Sequence, residues 1–267
     1  MARIAYMAGR QLAMLLPLAW LLCGGCRSGS EVARSTAAFP VGRGFVRHQL
    51  TLDGRPHTLW IFVPRDYCPG RKYPAILFLH GLFEAGRGTD AALSAGLGPV
   101  IADRKDSWPF ITIFPQSPGT WKGEARQRLA MAALHQAEQM YSIDPDRVIL
   151  AGLSYGALGT WQLAARHPDR FAALVPVSGH RATELVERVA MLPVWAFAVT
   201  GDLFVDADNS REMCDEIAAL GGRPRFTRFR GIGHDCWDRA IAQSDLVGWM
   251  LAQRRRSGDS GMAGAGE

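Results

Sequence analysis

The sequence lacks the short patterns that most often bind metal ions. Beyond residue 26 it contains neither a C-x-x-C pair nor an H-E-x-x-H run. It also lacks internal repeats and long low-complexity stretches, and its formal net charge is only +5 over 267 residues. These absences argue against a metal centre, a repeat architecture and an electrostatic partner such as nucleic acid. We therefore expect a protein that works without a cofactor.

No apolar run at the start is long enough for a comfortable transmembrane helix. Arg3 and Arg10 precede an apolar stretch over residues 12–22, which has signal-peptide length. The following Cys23-Gly24-Gly25-Cys26 resembles the lipobox of bacterial lipoproteins, although that pattern usually has Leu where Cys23 stands. We expect export to the periplasm or the extracellular space, with residues 1–25 as signal peptide. Membrane attachment through a lipidated Cys26, a plain cleaved leader and an uncleaved anchor remain alternatives.

The rest of the chain predicts one catalytic domain. Hydrophobic residues make up 48% of the sequence, enough for a sizeable core. We expect a linker over residues 26–44, a domain over 45–252 and a disordered tail over 253–267, which is poor in apolar groups. The body has an odd number of cysteines, and the alternatives are a Cys214–Cys236 bridge or three buried free thiols, including Cys68.

Strand and helix patterns alternate along this domain and predict an α/β fold. We expect a mostly parallel central sheet with helices on both faces and an antiparallel N-terminal hairpin that turns at Asp53-Gly54. The predicted strands cover residues 47–52, 57–63, 75–79, 111–114, 148–150, 172–177, 194–199 and 225–229. The predicted helices cover residues 125–140, 157–166, 183–190, 209–220 and 238–252.

The most informative motif is Gly152-Leu153-Ser154-Tyr155-Gly156, which directly follows the apolar strand pattern of residues 148–150. A serine hydroxyl is a poor nucleophile at neutral pH, so it has to stand on a sharp turn within reach of a base and of backbone N–H groups. The glycines leave room for strand and helix to approach closely around it. The motif predicts a nucleophile elbow with Ser154 as the nucleophile.

The base and the acid should follow the serine along the chain, in the order acid and then histidine. Among the later histidines, His234 lies in a glycine-rich loop after a strand and is the predicted base. His167 ends a helix pattern, and His180 comes before the best acid and could border the pocket. That acid is Asp202, just beyond an apolar strand. The rivals to Asp202 are Asp206 and then Asp208, whereas Asp235 is predicted to stabilise its loop.

Charge that develops on a carbonyl oxygen requires donors that are already in place. We predict the backbone N–H of Tyr155 as one donor and that of Leu82, in the loop after residue 79, as the other. His80 is predicted to hold that loop by hydrogen bonds rather than to react. Three aromatic residues could line the site or serve as ordinary packing, namely Phe83, Trp121 and Trp237.

Several segments together resemble the α/β-hydrolase superfamily, over roughly residues 45–251. They are His80-Gly81 with Glu84 and Gly86, residues 143–148, the elbow, Gly159-Thr160-Trp161 and residues 167–171. More narrowly, they are similar to secreted esterases related to polyhydroxybutyrate depolymerases, feruloyl esterases and the dienelactone-hydrolase or "predicted peptidase" group. The resemblance implies a Ser154–Asp202–His234 triad and an acyl-enzyme mechanism. Tyr155-Gly156-Ala157 departs from the Met-Gly-Gly that such proteins often have, and the Tyr155 ring would narrow the acyl pocket.

These observations predict a serine hydrolase that cleaves carboxylic esters. Only a short helical crossover separates the strand patterns that end at residue 177 and begin at residue 194, which leaves no room there for a large lid. An open site suits accessible small or polysaccharide-linked esters. The alternatives are a serine peptidase of the same fold and a catalytically inactive, lipid-anchored binding protein.

Overall fold

The computed structural model describes residues 42–255, which form one eight-stranded sheet flanked by helices. The strand order is β1-β2-β4-β3-β5-β6-β7-β8. The strands are β1 Gly44–Leu52, β2 Arg55–Val63, β3 Tyr73–Leu79, β4 Ile111–Pro115, β5 Ile143–Leu153, β6 Ala173–Val177, β7 Trp195–Gly201 and β8 Arg225–Ile232. The helices are α1 Leu97–Asp103, α2 Glu124–Met140, α3 Tyr155–Arg166, α4 Val186–Val189, α5 Asp208–Ala219, α6 Trp237–Gln243 and α7 Leu246–Ala252.

The predicted antiparallel start of the sheet is confirmed. Strands β1 and β2 form a hairpin in which Leu52 pairs with Arg55. The two turn residues have positive φ, 50° at Asp53 and 72° at Gly54, as a two-residue turn between twisted strands requires. β2 also pairs antiparallel with β4, whereas every later pairing is parallel. The carboxyl ends of β3 to β8 therefore share one edge of the sheet.

Apolar side chains fill the space on both faces of the sheet. On one face, a core cluster includes residues of α2, α3, α4 and α5. On the other face, a second cluster includes residues of α1, α6 and α7. β3, β4 and β6 are buried along their whole length, as expected of strands covered on both sides. The predicted α/β class with helices on both faces is thus confirmed.

Three helical segments differ from the prediction. The pattern gave no helix before β4, yet α1 forms there, because Gly96 with φ 67° supplies the turn that admits it. The predicted helix over residues 183–190 is a single 3₁₀ turn followed by the four-residue α4. The predicted final helix over residues 238–252 is two helices, α6 and α7, broken where Ser244 adopts an extended conformation.

The position of the sheet explains why two of the body cysteines do not form a disulfide. All three body cysteines are free, and Cys68 is exposed rather than buried. Cys214 belongs to the core cluster on one face of the sheet and Cys236 to the cluster on the other face. The sheet therefore separates the two thiols, and the alternative of a Cys214–Cys236 bridge is wrong.

Ordered contacts extend past residue 252, the predicted end of the domain. Arg254 pairs with Asp144, and Arg255 pairs with Asp146 at 2.7 Å and donates to the backbone oxygen of Asp169. The predicted signal peptide, Cys26, most of the linker and residues 256–267 of the tail lie outside the described residues. Over residues 42–255, the helices are all too short or too polar to cross a membrane.

Candidate active site

Ser154 occupies a strained turn between β5 and α3. Its φ of 59° and ψ of −117° lie in a region that residues with a side chain rarely adopt. A Cβ on Gly156 would come within 1.9 Å of the Leu79 carbonyl oxygen, and one on Gly152 within 2.3 Å of the Gly156 carbonyl group. Glycine is therefore required at both positions for α3 to start this close to β3 and β5. This packing fixes the turn that holds the serine.

Asp202 and His234 meet at the carboxyl ends of β7 and β8. His234 Nδ1 lies 2.7 Å from Asp202 Oδ2, and the Asp202 side chain is 1% exposed. The other carboxylate oxygen accepts the backbone N–H groups of Phe204 and Val205, at 2.8 and 3.1 Å. Since the carboxylate accepts hydrogen bonds, the neutral imidazole carries its proton on Nδ1, which leaves Nε2 with a free lone pair.

The remaining nitrogen of His234 has no partner among the described residues. Nε2 is buried and makes no hydrogen bond, so the structure joins Asp202 to His234 but forms no hydrogen bond from Ser154 to that nitrogen. The Ser154 turn and the His234 loop are connected through Val177, the last residue of β6, and Ser178, which follows it. Val177 accepts the Ser154 N–H at 2.9 Å, and the Ser178 hydroxyl donates to the His234 carbonyl oxygen.

The loop after β3 lies against Ser154. A Cβ on Gly81 would be 3.6 Å from the Ser154 Cβ, and the next residue is Leu82. Over residues 42–255, the backbone N–H groups of Leu82 and Tyr155 donate to no protein acceptor. Tyr155 is the first residue of α3, so its N–H also stands at the positive end of a helix dipole. Both predicted oxyanion donors are thus available.

His80 is buried, and both of its ring nitrogens have partners. The Ser117 N–H donates to Nε2 at 3.0 Å, so Nδ1 carries the proton and donates to the Gly81 carbonyl oxygen at 2.8 Å. Burial lowers the pKa of His80 to about 4, which keeps the ring neutral at pH 7. The Trp121 indole N–H donates to the His80 carbonyl oxygen at 2.9 Å. The geometry agrees with the predicted structural role of His80.

The other carboxylates near the site have different partners. Asp206 accepts the backbone N–H of Asp208, and Asp208 pairs with Arg228 and Arg211. Asp235 accepts the backbone N–H of Gly96 at 2.6 Å and of Trp237 at 3.1 Å, consistent with its predicted role in the loop. Within the described residues, Asp202 is the only carboxylate that is bonded to the His234 ring.

One side of His234 is aromatic and open to solvent. The Phe204 ring centroid lies 5.2 Å from that of His234 and 5.4 Å from that of Phe83, and we call Phe83 and Phe204 the aromatic pair. Phe204 is 62% exposed and Phe83 49%. Phe83 was one of the residues predicted as able to line the site, whereas Phe204 was not, although its position two residues after Asp202 was a usable signal. Trp121 and Trp237 are fully buried and belong to the core.

A second group of side chains surrounds Tyr155. The ring centroids of Tyr155 and His180 are 5.0 Å apart, and Lys122 Nζ lies 5.6 Å from the Tyr155 centroid. We call Lys122, Tyr155 and His180 the polar cluster. Burial, followed by the charge of Lys122, lowers the pKa of His180. The prediction that His180 borders the site agrees with this position, whereas sequence analysis missed Lys122.

Comparison with known proteins gives a family and a fold. The model of the Esterase family, described as "Putative esterase", matches residues 51–213. Dipeptidyl-peptidase 5 of Porphyromonas gingivalis is 28% identical over 142 residues, which are 50% of this chain and 21% of that protein. Poly(3-hydroxyalkanoate) depolymerase C of Paucimonas lemoignei is 26% identical over 121 residues, 40% of this chain and 28% of that protein. The chain thus matches less than a third of either protein's length.

Solved structures share the fold over most of the chain. A thermostable esterase superposes with a TM-score of 0.68 and 26% identity, covering 79% of this chain and 63% of that one. A ferulic acid esterase from Anaeromyces mucronatus superposes with a TM-score of 0.59 and 14% identity, covering 82% and 93%. These likenesses, with the sheet order, confirm the predicted α/β-hydrolase fold.

Proposed function

The chain belongs to the Esterase family, and from that premise we propose that it is a serine esterase that cleaves carboxylic esters through an acyl-enzyme intermediate. The observation that carries the proposal is the hydrogen bond between Asp202 and His234, which leaves Nε2 of His234 free to accept a proton. The Ser154 hydroxyl, which the strained turn holds, would supply that proton. A nucleophile, a base and an oriented acid are the parts that acyl transfer needs.

The chemistry follows from these roles. His234 Nε2 takes the hydroxyl proton as Ser154 Oγ attacks the ester carbonyl, and Asp202 stabilises the resulting imidazolium. The N–H groups of Leu82 and Tyr155 bind the oxyanion. The imidazolium then protonates the leaving alcohol, which leaves an ester between the acyl group and Ser154. Water repeats the sequence, releasing the acid and restoring the serine.

The substrate in this proposal is an accessible small or polysaccharide-linked ester. The exposed aromatic pair stands beside the base, where an apolar or aromatic part of an ester can pack. The crossover from β6 to β7 contains only one 3₁₀ turn and the four-residue α4. A substrate that reaches the site past this crossover does not need a large lid domain to move.

Hydrolysis of 4-nitrophenyl esters of increasing chain length tests the proposal, together with feruloyl and acetylated-sugar esters. The matched control is Ser154→Ala. We expect activity in the parent protein and its loss in the control, and the preferred acyl length reports the size of the pocket. Absence of hydrolysis of every ester, with no labelling of Ser154 by a serine-directed phosphonate, would contradict the proposal and favour the inactive binding protein.

A peptidase is the second candidate, because the matched segment of dipeptidyl-peptidase 5 is 28% identical to this chain. Peptide amides should be offered to the same preparation. A kcat/KM for dipeptidyl substrates above that for the best ester, abolished in Ser154→Ala, would favour the peptidase.

Export remains part of the proposal, with attachment through Cys26 as one form of it. Mass spectrometry of the mature N-terminus in the native host distinguishes the forms. A diacylglyceryl group on Cys26 that is missing in Cys26→Ser supports the lipoprotein form, and an unmodified new N-terminus supports a plain cleaved leader.

A further inference from the structure

The polar cluster has hydrogen-bonding groups that no protein atom uses. Within the described part of the chain, Lys122, the Tyr155 hydroxyl and the His180 imidazole form neither a hydrogen bond nor a salt bridge. Lys122 is exposed, and its ammonium group lies over the Tyr155 ring. A cation over an aromatic ring at an exposed site is held only weakly, so that contact leaves the ammonium group free for another partner.

The polar cluster itself contains one positive charge and no carboxylate. The carboxylate that acts on His180 is Asp202, and both of its oxygens are already bonded to His234 and to backbone N–H groups. Burial, followed by the charge of Lys122, lowers the pKa of His180 below the ordinary 6.5, so the neutral imidazole predominates at pH 7. The cluster therefore carries the single positive charge of Lys122 beside two neutral groups that can donate hydrogen bonds.

The cluster is next to the reacting serine. Tyr155 directly follows Ser154, and its N–H is a proposed oxyanion donor. His180 is close enough to His234 and Asp202 for their charges to act on it. A group bound by the cluster would thus belong to the same molecule as the ester under attack. One ammonium with neutral donors matches a monoanion such as a carboxylate better than a dianion such as a phosphate, whose second charge would stay unpaired.

We propose that the polar cluster is a subsite for a carboxylate on the ester substrate, so that the protein prefers esters whose acyl or alcohol part carries one. The link to catalysis rests on the proposed esterase function. Lys122 supplies the charge, while Tyr155 and His180 supply neutral donors. The aromatic pair lies beside His234 and receives an uncharged part of the same substrate.

Two substrate pairs test the subsite and distinguish the two sides of the ester. The acyl pair is 4-nitrophenyl hydrogen glutarate against 4-nitrophenyl pentanoate. The alcohol pair is the acetate ester of 4-hydroxybenzoate against that of 4-methylphenol. The ratio of kcat/KM within each pair is compared between variants, which cancels the intrinsic reactivity of the esters.

In Lys122→Gln the preference for the charged member should fall about fivefold in one pair, mainly through KM, as expected for a solvent-exposed charge pair. Lys122→Arg should keep it within about twofold, and 0.5 M salt should weaken it in the parent protein. The matched control is Lys105→Gln. Lys105 precedes β4 and so lies at the amino end of that strand, whereas Lys122 lies beyond its carboxyl end. Ratios in both pairs that stay within twofold of the parent in Lys122→Gln would overturn the proposal.

Binding to Ser154→Ala protein separates this proposal from the esterase proposal. Without turnover, isothermal titration should show the charged ester of one pair binding about fivefold more tightly than its neutral partner, and Lys122→Gln in the same background should abolish the difference. Discrimination in binding without hydrolysis by the parent protein would support the subsite and contradict the esterase. Hydrolysis without discrimination would contradict the subsite and leave the esterase standing.

Discussion

Two histidine loops at the same edge of the sheet have opposite hydrogen-bonding states. His80 follows β3, and both of its nitrogens are occupied, one by Ser117 N–H and one by the Gly81 carbonyl oxygen. His234 follows β8, and only Nδ1 is occupied, by Asp202, while buried Nε2 has no partner among residues 42–255. A ring with both nitrogens bonded can hold a loop but cannot accept a proton without losing a bond. The difference separates a structural histidine from a candidate base.

The largest effect should come from removing the unpartnered nitrogen. His234→Ala should lower kcat for the best ester by at least about 10⁴-fold, because residues of a catalytic unit show losses of this size. The thermal unfolding midpoint should also fall, because the variant leaves the buried Asp202 carboxylate without its Nδ1–H donor. Steady-state kinetics and calorimetry measure the two quantities. Activity of His234→Ala within tenfold of the parent would mean that His234 is not the base, and the contrast with His80 would be lost.

Asp202→Asn tests whether the carboxylate sets the tautomer of His234. The amide can place its NH₂ toward Nδ1, which moves the ring proton to Nε2 and blocks proton acceptance, so kcat should fall about 10³- to 10⁴-fold. Asp206→Asn is the matched control, because Asp206 bonds only in its own loop. An equal loss of kcat in Asp206→Asn would mean that Asp202 is not the acid that orients His234.

His80 should instead control stability and its pH dependence. Its pKa in the folded state is about 4, below the ordinary 6.5, because burial disfavours the charged ring. Between these values the unfolded chain binds a proton that the folded chain does not, so stability falls as pH drops from 6.5 to 4, by about 3 kcal/mol in total. Below pH 4 both states are protonated and this loss ends.

His80→Gln removes the titrating group while keeping a donor and an acceptor. Urea unfolding between pH 7 and 4 should show a shallower loss of stability in this variant than in the parent. His57→Gln is the comparison, since His57 is only partly buried. Equal pH slopes in the parent and His80→Gln would mean that His80 does not carry this dependence.

The smallest effect concerns the aromatic side of the His234 loop. Phe204→Ala should raise KM for aromatic and long-chain acyl esters about fivefold and leave acetate esters less affected, since an aromatic contact contributes about 0.5–1.5 kcal/mol. Met191→Ala is the control, an apolar residue that is 61% exposed and precedes β7. An equal rise for acetate esters would show that Phe204 supports His234 rather than the acyl group.

Local patterns were sufficient to predict the strands, the hairpin and the loops that carry Ser154 and His234. Glycine spacing and apolar runs determine these features within a few residues of sequence. Phe204 follows Asp202 by two residues, so its place near the acid was predictable, whereas the position of Lys122 was not, because it depends on which strand ends become neighbours. Lys122 follows β4, which pairs with β3 rather than with β5, and this order is a property of the whole sheet. The catalytic roles of Ser154, Asp202 and His234 stay predictions.

The break between α6 and α7 shows a second limit. The apolar periodicity continues across residues 238–252, so sequence alone predicts one helix. In the structure Ser244 is extended and its hydroxyl bonds to the Ala240 carbonyl oxygen, while Asp245 starts the next helix. A side-chain bond to the backbone competes with helix continuation at this point, and its outcome depends on packing from outside the segment.

The elbow motif combines residues under two different structural constraints. Gly152 and Gly156 are required by the close approach of backbones, so a side chain at either position would displace the start of α3. Ser154 is held in a backbone conformation that glycine would adopt with less strain. A Ser154→Gly change would therefore relieve backbone strain in the turn while removing the hydroxyl group. Within the motif, the architecture demands the two glycines, whereas it does not demand the serine, since the backbone alone would be satisfied by glycine at that position.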